Sequence, residues 1–167
     1  MTRGQIVLVL ANKAYTTTEF NGDMYPKFMD EHNNIWEGHG HEVIDHLKHV
    51  QNFDQYQAFV KAFNQEWFNY DEQLVYDAEL ANLTDFTQNY FDNWFSDFLY
   101  IKNLSGHVLH FKAKQDSGIA ELEPQLVNAN LADQGIGVLY FGEVYYPHKQ
   151  DINFSNDIQI VSSVVAH

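Results

Sequence analysis

The sequence predicts an α+β domain with a mostly antiparallel sheet, built from hairpins near both ends, and about three helices in the middle. Three observations support this prediction. The chain begins with a β-rich apolar run, its middle carries apolar residues at helical spacing, and its final third alternates between apolar and polar residues. Separation of helical and strand patterns along one chain is typical of α+β proteins.

The first hairpin is predicted from two β-rich segments, residues 5–11 and 14–20, which are joined by Asn12 and Lys13. A two-residue connection between such segments is the commonest hairpin geometry. Residues 6–11 are apolar at successive positions, so we expect both faces of this strand to be buried in the centre of a sheet.

Three segments in the middle of the chain are predicted to be helices because their apolar residues recur three or four positions apart. The first covers 41–50, with apolar residues at positions 43, 44, 47 and 50. The second follows Asn52, a candidate N-cap, with an apolar stripe at positions 53, 56, 60, 63 and 67. The third is expected to begin at Thr84, with Phe86, Tyr90 and Trp94 on its buried side.

The remaining strands are predicted from alternation. Residues 98–102 and 107–113 flank Asn103-Leu-Ser-Gly106, which predicts a second hairpin. Further strands are expected at 74–76, 136–146 and 158–165. The chain of 167 residues contains no repeat and no linker-like segment, so a single domain covering residues 1–167 is expected.

Net charge limits the classes of partner. The chain has 23 acidic and 9 basic residues, a formal charge of -14, and this balance disfavours direct binding to nucleic acids or to anionic membranes. It favours a protein partner, which is basic or DNA-binding. The chain has no cysteine and no apolar segment of roughly eighteen residues, so we expect a soluble cytoplasmic protein without disulfides.

Histidines are concentrated in one region, since five of the nine lie between His32 and His49. Imidazole and carboxylate groups at helical spacing suit a divalent metal. The candidate ligands are His39, His41, Glu42, His46 and His49. The alternative is a solvent-facing polar side of an amphipathic helix, and the spacing of the HExxH metalloprotease motif is absent.

The segment 21–40 is a candidate binding loop because it is long and aromatic. Its candidate contact residues are Asp23, Tyr25, Phe28 and Trp36. Aromatic side chains are favoured at interfaces because they bring a large area at a small entropic cost. The alternative is that they fold back onto the sheet. Carboxylates also offer candidates for acid–base pairs, whose proximity depends on the fold. They are Asp23, Asp30, Glu31, Asp71, Glu72, Asp92, Asp97, Glu121 and Glu123.

Three short motifs occur in order: Thr2-Arg-Gly4, then Glu19-Phe-Asn-Gly-Asp-Met-Tyr-Pro26, then Gly38-His-Gly40 before a helix. Together with Phe95 to Leu104, this arrangement resembles a set of small phage and bacterial proteins of unknown activity. The resemblance implies a phage or mobile-element origin and no mechanism. This chain departs from the pattern by the insertion of residues 27–37. In physical terms, Gly22 permits a positive φ, and Gly38 and Gly40 permit close backbone approach.

These observations lead to two functional hypotheses. The first is a non-enzymatic, acidic protein-interaction module of phage or mobile-element origin, of which one version imitates nucleic acid with its carboxylates. The alternative is a metal-binding protein or metal-dependent hydrolase that uses the histidines between His32 and His49.

Overall fold

The computed structural model describes residues 2–29, 32–79, 96–106, 109–110, 125–126, 135–140 and 159–160. Its elements in chain order are β1 (Arg3–Leu10), β2 (Lys13–Thr17), β3 (Phe20–Asn21), β4 (Lys27–Met29), β5 (Ile35–Glu37), α1 (His39–Leu47), α2 (Phe53–Trp67), β6 (Val75–Glu79), β7 (Phe98–Asn103), β8 (Leu109–His110), β9 (Gln125–Leu126), β10 (Ile136–Tyr140) and β11 (Gln159–Ile160). This combination of helices and sheet confirms the α+β class.

The main sheet is mixed and has the strand order β6-β2-β1-β7-β10-β9, with β3 also paired to β1. Its two central strands, β1 and β7, are parallel, with Gly4 opposite Phe98 and Val9 opposite Asn103. The other pairs in this sheet are antiparallel. Two small antiparallel pairs, β4 with β5 and β8 with β11, are separate from it.

The first hairpin is confirmed, but its turn lies one residue earlier than predicted. Leu10 pairs with Lys13, so the connecting residues are Ala11 and Asn12. Ala11 has a φ of 50°. A positive φ at the first position of a two-residue connection suits the right-handed twist of the strands, which explains the shift. The prediction that β1 is a central strand is also confirmed, since its inner residues are buried on both faces.

The predicted second hairpin, 98–102 with 107–113, is wrong for the described residues. β7 lies between β1 and β10, and β8 pairs with β11 instead. All six residues of β7 are buried. A strand buried on both faces needs a neighbour at each edge, and nothing in a local alternation pattern identifies neighbours that are distant in sequence.

Two predicted helices are confirmed with small changes of boundary. The Asn52 carboxamide oxygen accepts a hydrogen bond from the Gln55 backbone N–H at 2.9 Å, as expected of an N-cap. The predicted stripes supply the buried residues Val43 and Leu47 of α1 and Tyr56, Val60 and Phe63 of α2. The third predicted helix, from Thr84 to Trp94, lies outside the described residues.

Both helices pack on one face of the sheet, where their apolar stripes cover the central strands. Ile6, Leu8 and Tyr100 of β1 and β7 belong to this core. The buried Tyr56 hydroxyl lies 2.9 Å from the Ile6 carbonyl oxygen and 2.7 Å from the Tyr15 carbonyl oxygen, so one side chain connects α2 to both strands of the first hairpin. Buried polar groups of this kind favour one packing arrangement, because each group must find a hydrogen-bond partner.

The segment between β3 and α1 folds as the β4–β5 hairpin on a closed base, which we call the neck and define as residues 23–26 and 38–40. Three backbone hydrogen bonds join its sides, from the N–H groups of Gly38, His39 and Gly40 to carbonyl oxygens of residues 26, 23 and 25 at 2.8, 2.7 and 3.0 Å. These N–H groups begin α1 and have no partner inside the helix. The neck therefore caps α1 with the chain's own carbonyls.

The neck packs closely between α1 and the sheet, which leaves no room for a side chain at its two glycines. A β-carbon on Gly38 would overlap the Tyr25 carbonyl oxygen, and one on Gly40 would overlap the Tyr100 hydroxyl. The Tyr100 hydroxyl, fully buried on β7, donates a hydrogen bond to the Met24 carbonyl oxygen. The expectation of close approach at both glycines is confirmed, as is the positive φ of Gly22, at 148°.

The Gly40→Ala variant tests this packing. We expect the free energy of unfolding to fall by about 3 kcal/mol, because neither the Tyr100 hydroxyl nor the Tyr25 carbonyl can yield without losing its hydrogen bond. Urea denaturation followed by circular dichroism measures the change. Gly106→Ala is the control, since its φ of 82° strains alanine by about 1 kcal/mol but its new methyl meets open space. Equal losses in the two variants would contradict the role of the neck.

Candidate binding surface

The paired strands β4 and β5, which we call the arm and define as residues 27–29 and 35–37, adjoin the neck. Its register places Phe28 opposite Trp36 and Met29 opposite Ile35. All three residues of β5 are exposed, and Ile35 and Trp36 keep 57% and 49% of their surface accessible. The apolar side chains of β5 are therefore accessible to a partner.

A second exposed tryptophan lies beside the neck. Trp67, at the end of α2, is 47% exposed, and its ring centroid is 4.6 Å from that of His39. Its indole N–H donates a hydrogen bond to the Glu42 carboxylate at 2.7 Å. Since His39 follows Trp36 by three residues, their Cα atoms are within about 11 Å of each other. We call Ile35, Trp36 and Trp67 the aromatic surface, because they are the large apolar side chains that are exposed in the described part of the chain.

Acidic side chains accompany the aromatic surface. Glu37 on the arm and Asp23 in the neck are exposed, and Glu42 on α1 is partly exposed. On the outer side of α1, Asp45 lies 3.6 Å from His41 and 3.5 Å from Lys48. Exposed ion pairs contribute little to stability, so these charges act mainly through the field around the surface.

The four predicted contact residues have different environments. Trp36 is exposed, whereas Tyr25 is partly buried and packs against the core. Burial raises the pKa of the Tyr25 hydroxyl, and the nearby charge of Asp23 raises it further. Asp23 has a φ of 53°, and its carbonyl oxygen belongs to the neck. The side chain of Phe28 lies outside the described residues. Tyr25 thus folds back onto the protein, whereas Trp36 is exposed to solvent.

The five predicted metal ligands do not meet at one point. His39 is surrounded by the rings of Phe63, Trp67 and Phe68, and His46 stacks on Phe59 at 4.7 Å between centroids. His41 instead faces Asp45. Within the part of the chain that the structure describes, no three His, Asp or Glu side chains form a group that could hold a metal ion. For His41 and His46 the physical reason is the helix period, because a separation of five positions turns the two rings to different sides of α1.

A polar cluster that the sequence does not reveal closes one end of the main sheet. β1 and β7 are parallel, so Arg3 and the residues that precede Phe98 lie at the same end, where Glu19 also arrives after β2. The Ser96 hydroxyl is 2.8 Å from the Gln5 side-chain oxygen and 3.0 Å from a Glu19 carboxylate oxygen. Among the predicted carboxylates, only Asp97 takes part in this cluster within the described residues.

Asp97 and Arg3 are held together by paired hydrogen bonds. The Arg3 backbone N–H donates to the Asp97 carboxylate at 2.9 Å, and the Asp97 N–H donates to the Arg3 carbonyl at 2.9 Å. Burial raises the pKa of Asp97, the negative charge of Glu19 adds to this, and the Arg3 hydrogen bond and charge oppose it. The Arg3 guanidinium also lies 3.6 Å from Glu19. The cluster joins the starts of β1 and β7 and is explained by the fold.

Comparison of the chain with protein-family models, with curated proteins and with solved structures found no match. Neither of the two helices in the described ranges has the length and apolar character needed to cross a membrane. Functional inference therefore depends on the surface itself.

The Asp97→Asn variant tests the electrostatics of the polar cluster. Because the folded-state pKa is raised above the unfolded value of about 3.9, ionisation of Asp97 lowers stability as pH rises through the folded pKa. Asparagine keeps an acceptor for Arg3 and has no such charge. The stability of the variant relative to wild type is therefore expected to increase between pH 3.5 and pH 7, as measured by urea denaturation.

The control for this variant is Gln57→Ala, an exposed change on α2 that removes no titrating group. A difference between Asp97→Asn and wild type that is constant across the pH range would contradict the raised pKa.

Proposed function

We propose that this protein is a non-enzymatic, acidic protein-interaction module that binds a basic protein through the aromatic surface. One observation carries the proposal: the large apolar side chains that are exposed in the described part of the chain are Ile35, Trp36 and Trp67. Contacts that dominate binding energy are enriched in tryptophan and gather in one central patch. Two of these three residues are tryptophans, which supports the proposal.

The charge of the chain supports a basic partner. A net charge of -14 produces a long-range field, and Glu37 and Glu42 place negative charge beside the aromatic residues. Such a field steers a positively charged partner and increases the association rate at low salt. DNA-binding proteins are candidates because their basic surfaces are shaped to receive regularly spaced negative groups.

The cellular setting is part of the proposal. The resemblance of the short motifs to small phage and bacterial proteins supports an origin in a phage or mobile element, and the absence of cysteine suits the cytoplasm. A metal-binding or metal-dependent hydrolase function of the histidines between His32 and His49 stays a prediction from the sequence. Of its candidate ligands, Glu42 and His46 have a carboxylate oxygen and an Nε2 atom 3.8 Å apart.

The proposal is tested with purified full-length protein as bait for host lysate at low and high salt. We expect one basic protein to be enriched at low salt and lost at high salt, because salt screens exposed charges. The purified partner is then titrated with wild type, Trp36→Ala and the control Gln57→Ala by isothermal titration calorimetry. Trp36→Ala should weaken binding at least tenfold, equivalent to about 1.4 kcal/mol, and the control should bind like wild type.

Two results would contradict the proposal. One is a specific partner whose affinity is independent of salt, because the negative charge of the chain would then not contribute to binding. The other is equal affinity for wild type, Trp36→Ala and Trp67→Ala, which removes the aromatic surface from the interface.

A further inference from the structure

Glu42 and Trp67 form a pair of side chains on the outer surface where α1 and α2 meet. The Trp67 indole N–H donates a hydrogen bond to one Glu42 carboxylate oxygen at 2.7 Å. Trp67 keeps 47% of its surface accessible, and the Glu42 side chain keeps 29%. An aromatic ring and a carboxylate are therefore accessible to a partner side by side, and we call these two residues the indole–carboxylate site.

Neighbouring rings hold both side chains in place. The His39 ring, at the start of α1, lies 4.6 Å from the Trp67 ring between centroids. His46, four positions after Glu42, stacks on Phe59 of α2, and its Nε2 atom is 3.8 Å from the other Glu42 carboxylate oxygen. A site whose side chains are ordered before association loses less conformational entropy on binding.

The two residues match the chemistry of an arginine side chain. A cation against the face of a tryptophan ring is attracted by the ring quadrupole. A carboxylate has about four lone-pair positions on its two oxygens, and the Trp67 indole takes one of them, so Glu42 can accept further hydrogen bonds. The guanidinium group is planar, stacks on aromatic rings, donates paired hydrogen bonds to carboxylates and is more weakly hydrated than an ammonium group.

We infer that the indole–carboxylate site binds one arginine side chain of the basic partner, with the guanidinium against the Trp67 ring and its N–H groups directed to the Glu42 carboxylate. This inference rests on the proposed function and adds the residue of the partner that is recognised. The charges around the site agree with it. Glu66, directly before Trp67, is exposed and adds a second negative charge, whereas the ion pair of Lys48 in the described residues is with Asp45.

A second copy of this chain is a poor source of that arginine. Arg3 is the single arginine of the sequence. Its guanidinium lies 3.6 Å from Glu19, and its backbone N–H is bonded to Asp97 at the end of the main sheet. Binding of Arg3 by another copy would separate an existing ion pair. The arginine is therefore expected from a different protein.

The test titrates the full-length protein, labelled with ¹⁵N, with hexa-arginine and with hexalysine at pH 7.5. Each tryptophan gives one indole N–H signal, and the variant Trp67→Phe identifies the Trp67 signal by its loss. We expect hexa-arginine to shift the Trp67 signal and to bind about threefold more tightly than hexalysine, because guanidinium stacks on the ring. An unchanged Trp67 signal, or equal affinity for the two peptides, would overturn the inference.

The variant Glu42→Gln separates local recognition from the general charge of the protein. Glutamine keeps an oxygen for the Trp67 hydrogen bond but has no charge, so we expect the affinity for hexa-arginine to fall about fivefold. Glu66→Gln is the matched control, since it removes the same charge from the neighbouring surface and should change the affinity by less than about twofold. The ¹⁵N spectra of the free variants check that the fold is unchanged. Equal losses in the two variants would overturn the site.

Titration of the partner itself separates this inference from the proposed function. For the basic protein enriched from lysate, Glu42→Gln should weaken binding about fivefold, and Glu66→Gln should bind like wild type. Equal affinity of wild type and Glu42→Gln would overturn the arginine site and leave protein binding intact. If no basic protein is enriched, the proposed function fails, and the hexa-arginine titration still decides whether the site binds arginine.

Discussion

The rest of the structure depends on the contact between the neck and β7. The Tyr100 hydroxyl is buried and must find an acceptor, and the Met24 carbonyl supplies it only if α1 approaches without a side chain at Gly40. The same approach brings the first N–H groups of α1 to the carbonyls of the neck. One close contact thus sets the position of α1, caps its N-terminus and closes the base of the arm.

This contact also explains why the candidate surface lies where it does. With the neck held against the sheet, β5 ends directly before α1, and its side chains remain accessible. His39 is the link, because it begins α1 and its ring packs against Trp67 at the end of α2. Residues that are far apart in the chain are therefore in contact, and the Glu42 carboxylate lies beside them. The proposed partner follows from this combination of apolar area and negative charge.

The polar cluster shows how the parallel pair is completed at its exposed end. Parallel pairing of β1 and β7 brings the chain segments before both strands together, and their backbone groups pair between Arg3 and Asp97. The side chains of Gln5 and Ser96 are buried there and share hydrogen bonds. Burial at this junction of the two strands raises the pKa of Asp97.

Local physical rules let the sequence by itself determine β1 and its hairpin, the two helices with the Asn52 cap, and the need for glycine at positions 38 and 40. The hairpin and the helices depend on residues within a few positions, where periodicity, capping and turn geometry act, whereas the contacts that require glycine at positions 38 and 40 come from Tyr25 and Tyr100. The tertiary structure alone decided that β7 pairs with β1 and β10. It also decided that Trp67 leaves its predicted buried stripe to meet His39, and that Glu19 and Ser96 share a site. These contacts join residues tens of positions apart, and composition and spacing carry no information about which distant surfaces will exclude water together.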